Sequence, residues 1–129
     1  MTEQVHPVDP TRAQFAALRA AATTTTGPVQ MVNLLAFAED GRQGYQDYIA
    51  AIRPHLERAG ASVTYAGNRG EVVIGDDDAG WWDTVILVQY PSRESFIAMV
   101  TDPGYQEITA HRTGALVRAH LVSSDPWDL

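Results

Sequence analysis

Cysteine is missing from all 129 residues of the chain. Its absence rules out a disulfide framework, a thiolate nucleophile and any zinc site built on sulfur ligands. Basic residues are scarce too, nine against 16 acidic ones, for a formal net charge of -7 and a pI of about 4.8. Nucleic acids and anionic membrane surfaces need clustered cations, so both are excluded as expected partners, and a neutral or cationic small molecule is easier to accommodate. No apolar run approaches the roughly 20 residues that cross a bilayer. The opening Met-Thr-Glu-Gln-Val-His-Pro has neither a basic nor an apolar leader region, and the protein is expected to be soluble, unexported and cytoplasmic.

Signatures of bound cofactors are equally thin. Glu107 and His111 share the i, i+4 spacing of a helical metal pair, and His55 and His120 are available elsewhere, but no His-Glu-x-x-His element accompanies them. The run Asp76-Asp77-Asp78 lacks the alternating ligands and closing glutamate of a calcium loop. Gly75 and Gly80 flank it without a phosphate-binding pattern, and no Ser-His-Asp set can be assembled. The expectation is therefore no metal and no organic cofactor. A haem reading would need a histidine aimed into a large apolar cavity, with His55 as the candidate.

What is present is a nearly unbroken apolar stretch, Pro28 to Phe37, with the single amide Asn33 in its middle. Such a run reads as a strand from about Val29 to Phe37 that is covered on both faces. Before it, Asp9 and Pro10 mark the start of a helix with Phe15, Leu18 and Ala22 on one side, ending near Ala22. After the Asp40-Gly41 turn, Tyr45, Tyr48, Ile49, Ile52, Leu56 and Ala59 form a helical stripe, with Pro54 set to bend it and Gly60 closing it. Val63 and Tyr65, then Val72 to Ile74, predict a second, interrupted strand with a bulge or turn at Asn68 to Gly70. A third strand runs from about Asp83 to Tyr90, again apolar on both parities. Ser92 caps a helix carrying Phe96, Met99 and Val100, which Asp102-Pro103-Gly104 interrupts before a segment bearing Tyr105, Ile108 and Arg112. A last strand lies around Ala119 to Ser123.

At this length the chain forms one core, burying about two-thirds of its unfolded surface. Residues 1–28 are read as a helix and linker packed on the domain proper, 29–129. The order β, α, β, β, α, β is the α+β, ferredoxin-like arrangement, a four-stranded antiparallel sheet with an extra N-terminal helix. Helices cover only one face of such a sheet, while its strands are apolar on both. A second copy of the same sheet is the simplest cover, so a homodimer is predicted.

Three stretches, Pro28 to Phe37, Trp82 to Ser92 and Phe96 to Arg112 with its Met-Val-Thr-Asp-Pro-Gly-Tyr-Gln-Glu-Ile and His-Arg elements, resemble the family catalogued as domain of unknown function 1330. Asp9-Pro10-Thr11 and the helix after it are similar to the opening of its longer members. The resemblance implies a dimeric α/β barrel with pockets between sheet and helices or inside the barrel. It implies no activity, because wider relatives include cofactor-free monooxygenases, isomerases and haem enzymes. Many members carry an acidic residue after the His-Arg pair, where this chain has Thr113, which weakens any mechanism needing a carboxylate beside His111.

Candidate chemistry centres on that pair. Arg112 shares the apolar stripe of its helix and either clamps a ligand oxyanion or pairs with Asp83, Glu107 or a backbone carbonyl. His111 sits at the stripe's edge, as a general base at a pocket mouth or as a half-exposed surface histidine. Asn33 either bonds a ligand carbonyl or satisfies backbone groups of the core. Tyr48, Tyr65, Trp82 and Tyr90 suit an aromatic-lined pocket, or the core and dimer contacts. Two functions are consistent with this set: a cofactor-independent enzyme doing acid–base chemistry on a small carbonyl-bearing or aromatic substrate, and a non-catalytic ligand-binding or stress-associated dimer.

Overall fold

A computed structural model describes residues 6–129. Along the chain lie α1 (Arg12–Thr24), β1 (Val29–Phe37), α2 (Gly41–Ala59), β2 (Ser62–Asn68), β3 (Thr84–Tyr90), α3 (Arg93–Thr101), α4 (Pro103–Ala115) and β4 (Leu116–Ser124). The strands form one antiparallel sheet in the order β2-β3-β1-β4. After α1 this is the predicted ferredoxin-like arrangement, and β1 has the predicted bounds.

Strand register divides the side chains between two faces. Val29, Met31, Asn33 and Leu35 of β1 stand opposite Tyr90, Val88, Ile86 and Thr84 of β3. All eight are buried, and the apolar ones among them belong to a cluster that takes in Tyr45, Tyr48, Ile52 and Leu56 of α2 and Phe96, Ile97 and Met99 of α3. Leu35 is 0% exposed, and burying a side chain of that size stabilises the fold by about 1.5–3 kcal/mol. Val8 and Ala22 join the same cluster, so the N-terminal segment packs into this core.

The alternate residues, Val32 and Leu34 of β1 with Val85 and Leu87 of β3, form the second face. They are half-buried, and they are continued outward by Tyr65, 56% exposed, and Val122, 59% exposed. The helices contribute to the core on the opposite side. Apolar residues of both parities thus meet two different surroundings, a packed helical layer and an uncovered one.

Local details depart from expectation for identifiable reasons. The first helix is capped by Thr11, which accepts from the Gln14 amide while the Gln14 side chain accepts from the Thr11 N–H. That reciprocal box satisfies two orphan donors and outcompetes Asp9-Pro10 as the start. The helix continues through Thr23 and Thr24, whose hydroxyls donate back to the carbonyls of Ala20 and Ala21. Pro54 stays inside α2, and Gly60 closes that helix with φ 72°. Val72 to Ile74 are not a strand: β3 starts at Thr84 opposite Asn68, so no strand among the described residues pairs with them. Val73 and Ile74 are 90% and 94% exposed in the connecting loop. The irregularity of β2 falls between Val63 and Tyr65 instead of at Asn68. The last strand is longer than predicted, beginning at Leu116.

Two glycines on one turn of α2 provide a test of this packing. A Cβ at Gly41 would drive into the carbonyl oxygen of Ala115, whereas one at Gly44 would make ordinary contact, 3.5 Å from the Ala115 methyl. Gly41→Ala is expected to lower stability by about 1–3 kcal/mol through overpacking, while Gly44→Ala gains up to ~1 kcal/mol of helix propensity. Urea unfolding of the two variants measures both; equal effects would show that α2 and α4 do not meet as described.

Candidate functional site

Arg112 reaches inward from α4, with its side chain 11% exposed. Its Nη1 donates to the carbonyl of Val8 at 2.5 Å and lies 3.7 Å from the Asp9 carboxylate. The Tyr45 phenol lies close enough to feel the charge of the guanidinium. The guanidinium therefore holds the N-terminal segment onto α4. Thr113 donates to the same Asp9 carboxylate at 3.1 Å, so a carboxylate does stand near the His-Arg pair, brought by tertiary contact from the other end of the chain. His111, one residue away, points to the opposite environment and is exposed.

Beneath Arg112 lies a layer of phenols. The hydroxyls of Tyr48 and Tyr105 are 2.6 Å apart, and the Tyr45 ring packs against Tyr48 at 5.3 Å. Burial pushes the Tyr45 phenol up to about 12, with Arg112 pulling weakly the other way. Burial also raises Tyr48, reinforced by Tyr105, and raises Tyr90. Tyr45, Tyr48 and Tyr90 are accordingly neutral donors near pH 7, not bases. Tyr90 packs edge-on to Phe96. Asn33 shares this side of the sheet, where its Nδ2 donates to the carbonyls of Met31 and Ile86 at 3.3 and 3.2 Å.

The predicted site residues are thus distributed over four surroundings. Arg112, Tyr48, Tyr90 and Asn33 belong to the helix-side layer, His111 to the solvent side of α4, and Tyr65 to the uncovered face. Trp82 lies half-buried in the loop before β3, its carbonyl accepting from Arg69. No single recess gathers them. A half-open recess of about 420 Å³ lies elsewhere, lined by Pro28, Gln30, Gln89, Ser124, Pro126 and Trp127 among others. Beside it Arg93 grips Asp125 with two bonds of 2.7 and 3.0 Å, holding that carboxyl below the usual range.

Two clusters were not read from the sequence. At the break between α3 and α4, the Nδ1 of His55 lies 2.9 Å from Arg58 and 3.6 Å from Asp102, and its ring packs edge-on to Tyr105. Gly104 closes against the same ring. A haem does not fit there, because protein groups already surround the imidazole. On the uncovered face, Trp81 packs against His120 and under Arg118. The i, i+2 spacing of Arg118 and His120 in a strand is the one signal that could have suggested this pair. Among the described residues no group of three or more His, Asp or Glu is placed to hold a metal ion. None of the described helices is long and apolar enough to cross a membrane.

The family model described as domain of unknown function 1330 matches residues 36–124. A crystal structure of a protein of unknown function from Rhodopseudomonas palustris is 32% identical, with 97% of this chain and 100% of that one covered and a TM-score of 0.86. A dimeric ferredoxin-like protein of unknown function from a Jannaschia species matches at 10% identity over 78% of this chain and 100% of that one, TM-score 0.58. A NIPSNAP domain protein from Burkholderia xenovorans matches at 12% identity over 78% and 95%, TM-score 0.56. The last two show likeness of fold alone. No curated protein matches the sequence.

The buried phenols make alkaline pH a probe of this layer. Their folded pKa values lie above the unfolded value of about 10, so the stability they confer is whole below about pH 10 and is lost as pH rises through the folded values. Tyr45, folded at about 12, contributes on the order of 3 kcal/mol to that loss. Absorbance near 295 nm recorded with circular dichroism is expected to show Tyr45, Tyr48 and Tyr90 ionising only as the fold opens. Ionisation of all five tyrosines near pH 10 with the fold intact would contradict the buried layer.

Proposed function

The chain belongs to the family of domain of unknown function 1330, and from that premise we propose that it works as a homodimer closed sheet against sheet, holding a small molecule without reacting it. The observation that carries this reading is the uncovered face, where Val32, Leu34, Val85 and Leu87 stand half-exposed in a contiguous patch. A patch of that kind on a stable domain marks an interface. The second copy is the occupant that matches it in shape and extent, because a twisted sheet is complementary to itself about a twofold axis. Proteins of the same fold from Jannaschia, Bacteroides fragilis and Thermobifida fusca are described as dimeric, which supports the same assembly.

Binding is favoured over chemistry by the state of Arg112. A guanidinium aimed at developing negative charge needs free donors, whereas this one is engaged by Val8 and Asp9. Acid–base catalysis is the second reading, and one observation favours it: His111 is exposed and makes no side-chain hydrogen bond among the described residues, so its imidazole is accessible to a substrate. In that reading Arg112 assists, and Asn33, Tyr48, Tyr65, Trp82 and Tyr90 position the substrate.

Sedimentation equilibrium at micromolar concentration is expected to return twice the 14.1 kDa subunit mass. Leu87→Asp, which places a charge in the centre of the patch, is expected to shift the population to monomer while the circular dichroism spectrum is retained. A wild-type mass of one subunit rejects the assembly. Native mass spectrometry of the purified dimer then identifies a retained small molecule; its turnover by wild type and not by His111→Ala would replace binding with catalysis.

A further inference from the structure

We infer that Arg118, His120 and Trp81 form the recognition point for a small molecule carrying a carboxylate beside a flat apolar body, an inference that rests on the sheet-to-sheet dimer. Arg118 and His120 leave β4 on the uncovered face, opposite Ala36 and Leu34 of β1. Trp81 arrives from the loop before β3 and is held there by neighbouring backbone: Arg69 Nε donates to the Trp82 carbonyl at 2.8 Å, and Asp83 N–H to the Leu35 carbonyl at 2.7 Å. The Arg118 Cζ stands 4.2 Å above the indole centre, and the His120 ring lies 4.6 Å from the same indole.

All three side chains bring N–H donors, and among the described residues none of them has a hydrogen-bond acceptor or ion-pair partner. Elsewhere the buried and half-buried arginines are answered, Arg93 by Asp125 and Arg112 by Val8, and even the exposed Arg42 and Arg69 have Asn68 and two backbone carbonyls. Arg118 has only the indole face, a contact that leaves its N–H groups open. Open guanidinium donors match the fork of a carboxylate. The apolar body of the ligand would lie along Leu34 and Val32, next on the same face.

The overall charge of -7 works against anions at long range, but a contact of this kind is decided locally, since screening limits distant charges to about 10 Å at ordinary ionic strength. Closing a second sheet over the face withdraws Arg118 from water. An unanswered cation there is costly, and a ligand anion removes the cost.

The test is calorimetric titration of the full-length protein with benzoate, with benzamide as the neutral isostere. Saturable benzoate binding is expected, at least tenfold weaker in Arg118→Gln and for benzamide, with Arg118→Lys intermediate because it keeps charge and loses the fork. No benzoate binding, or equal affinity in wild type and Arg118→Gln, overturns the inference. So does weaker self-association of Arg118→Gln without any benzoate effect, which would assign the guanidinium to a carboxylate of the second subunit. Sedimentation of the same samples separates the two readings: a dimer lacking Arg118-dependent binding defeats this one alone, and a monomeric wild type defeats the assembly.

Discussion

A four-stranded sheet has two faces, and the helices of this chain lie over one of them. The rest of the structure depends on that mismatch. β1 and β3 are central strands with apolar residues at nearly every position, so half of their side chains enter the helical core and half do not. Burial on the helix side stabilises the fold, while the other face remains available for association at little cost in subunit stability. Any enclosed space on that face comes into being only when something is laid over it.

The two sides differ in their polar chemistry as well as their cover. On the helix side polar groups are answered from within: Asn33 by strand carbonyls, Tyr48 by Tyr105, Arg112 by the segment at Val8 and Asp9. Such saturation suits a buried layer, since an unpaired buried donor costs about 1–3 kcal/mol. On the uncovered face Trp81, Arg118 and His120 contact one another through rings and a cation while keeping their donors free. The contrast is the ground for placing the proposed ligand contact on the sheet surface and not at Arg112.

Much of the fold was legible because its signals are local. Unbroken apolar runs, the Ser92 cap, the Gly60 terminator and the Asp102-Pro103-Gly104 break each act within a few residues, and each stands where the sequence put it. Val72 to Ile74 misled for the complementary reason. β-branched residues favour extended backbone, but a strand needs a paired neighbour, and none of the described residues supplies one there. Thr11 displaced Asp9 as cap because a capping box uses two residues at once, while Asp9 is drawn to α4.

Composition and periodicity alone determined one core, the βαββαβ order, a sheet apolar on both sides and the lack of sulfur chemistry. Tertiary structure alone decided which polar groups meet. Arg112 finds Val8 and Asp9 across most of the chain, and Trp81 finds Arg118 and His120 from another strand's approach. The physical reason is range: hydrophobic period is set by neighbours along the backbone, whereas a hydrogen bond or a cation–aromatic contact is made within a few ångströms between residues that only the completed sheet brings side by side.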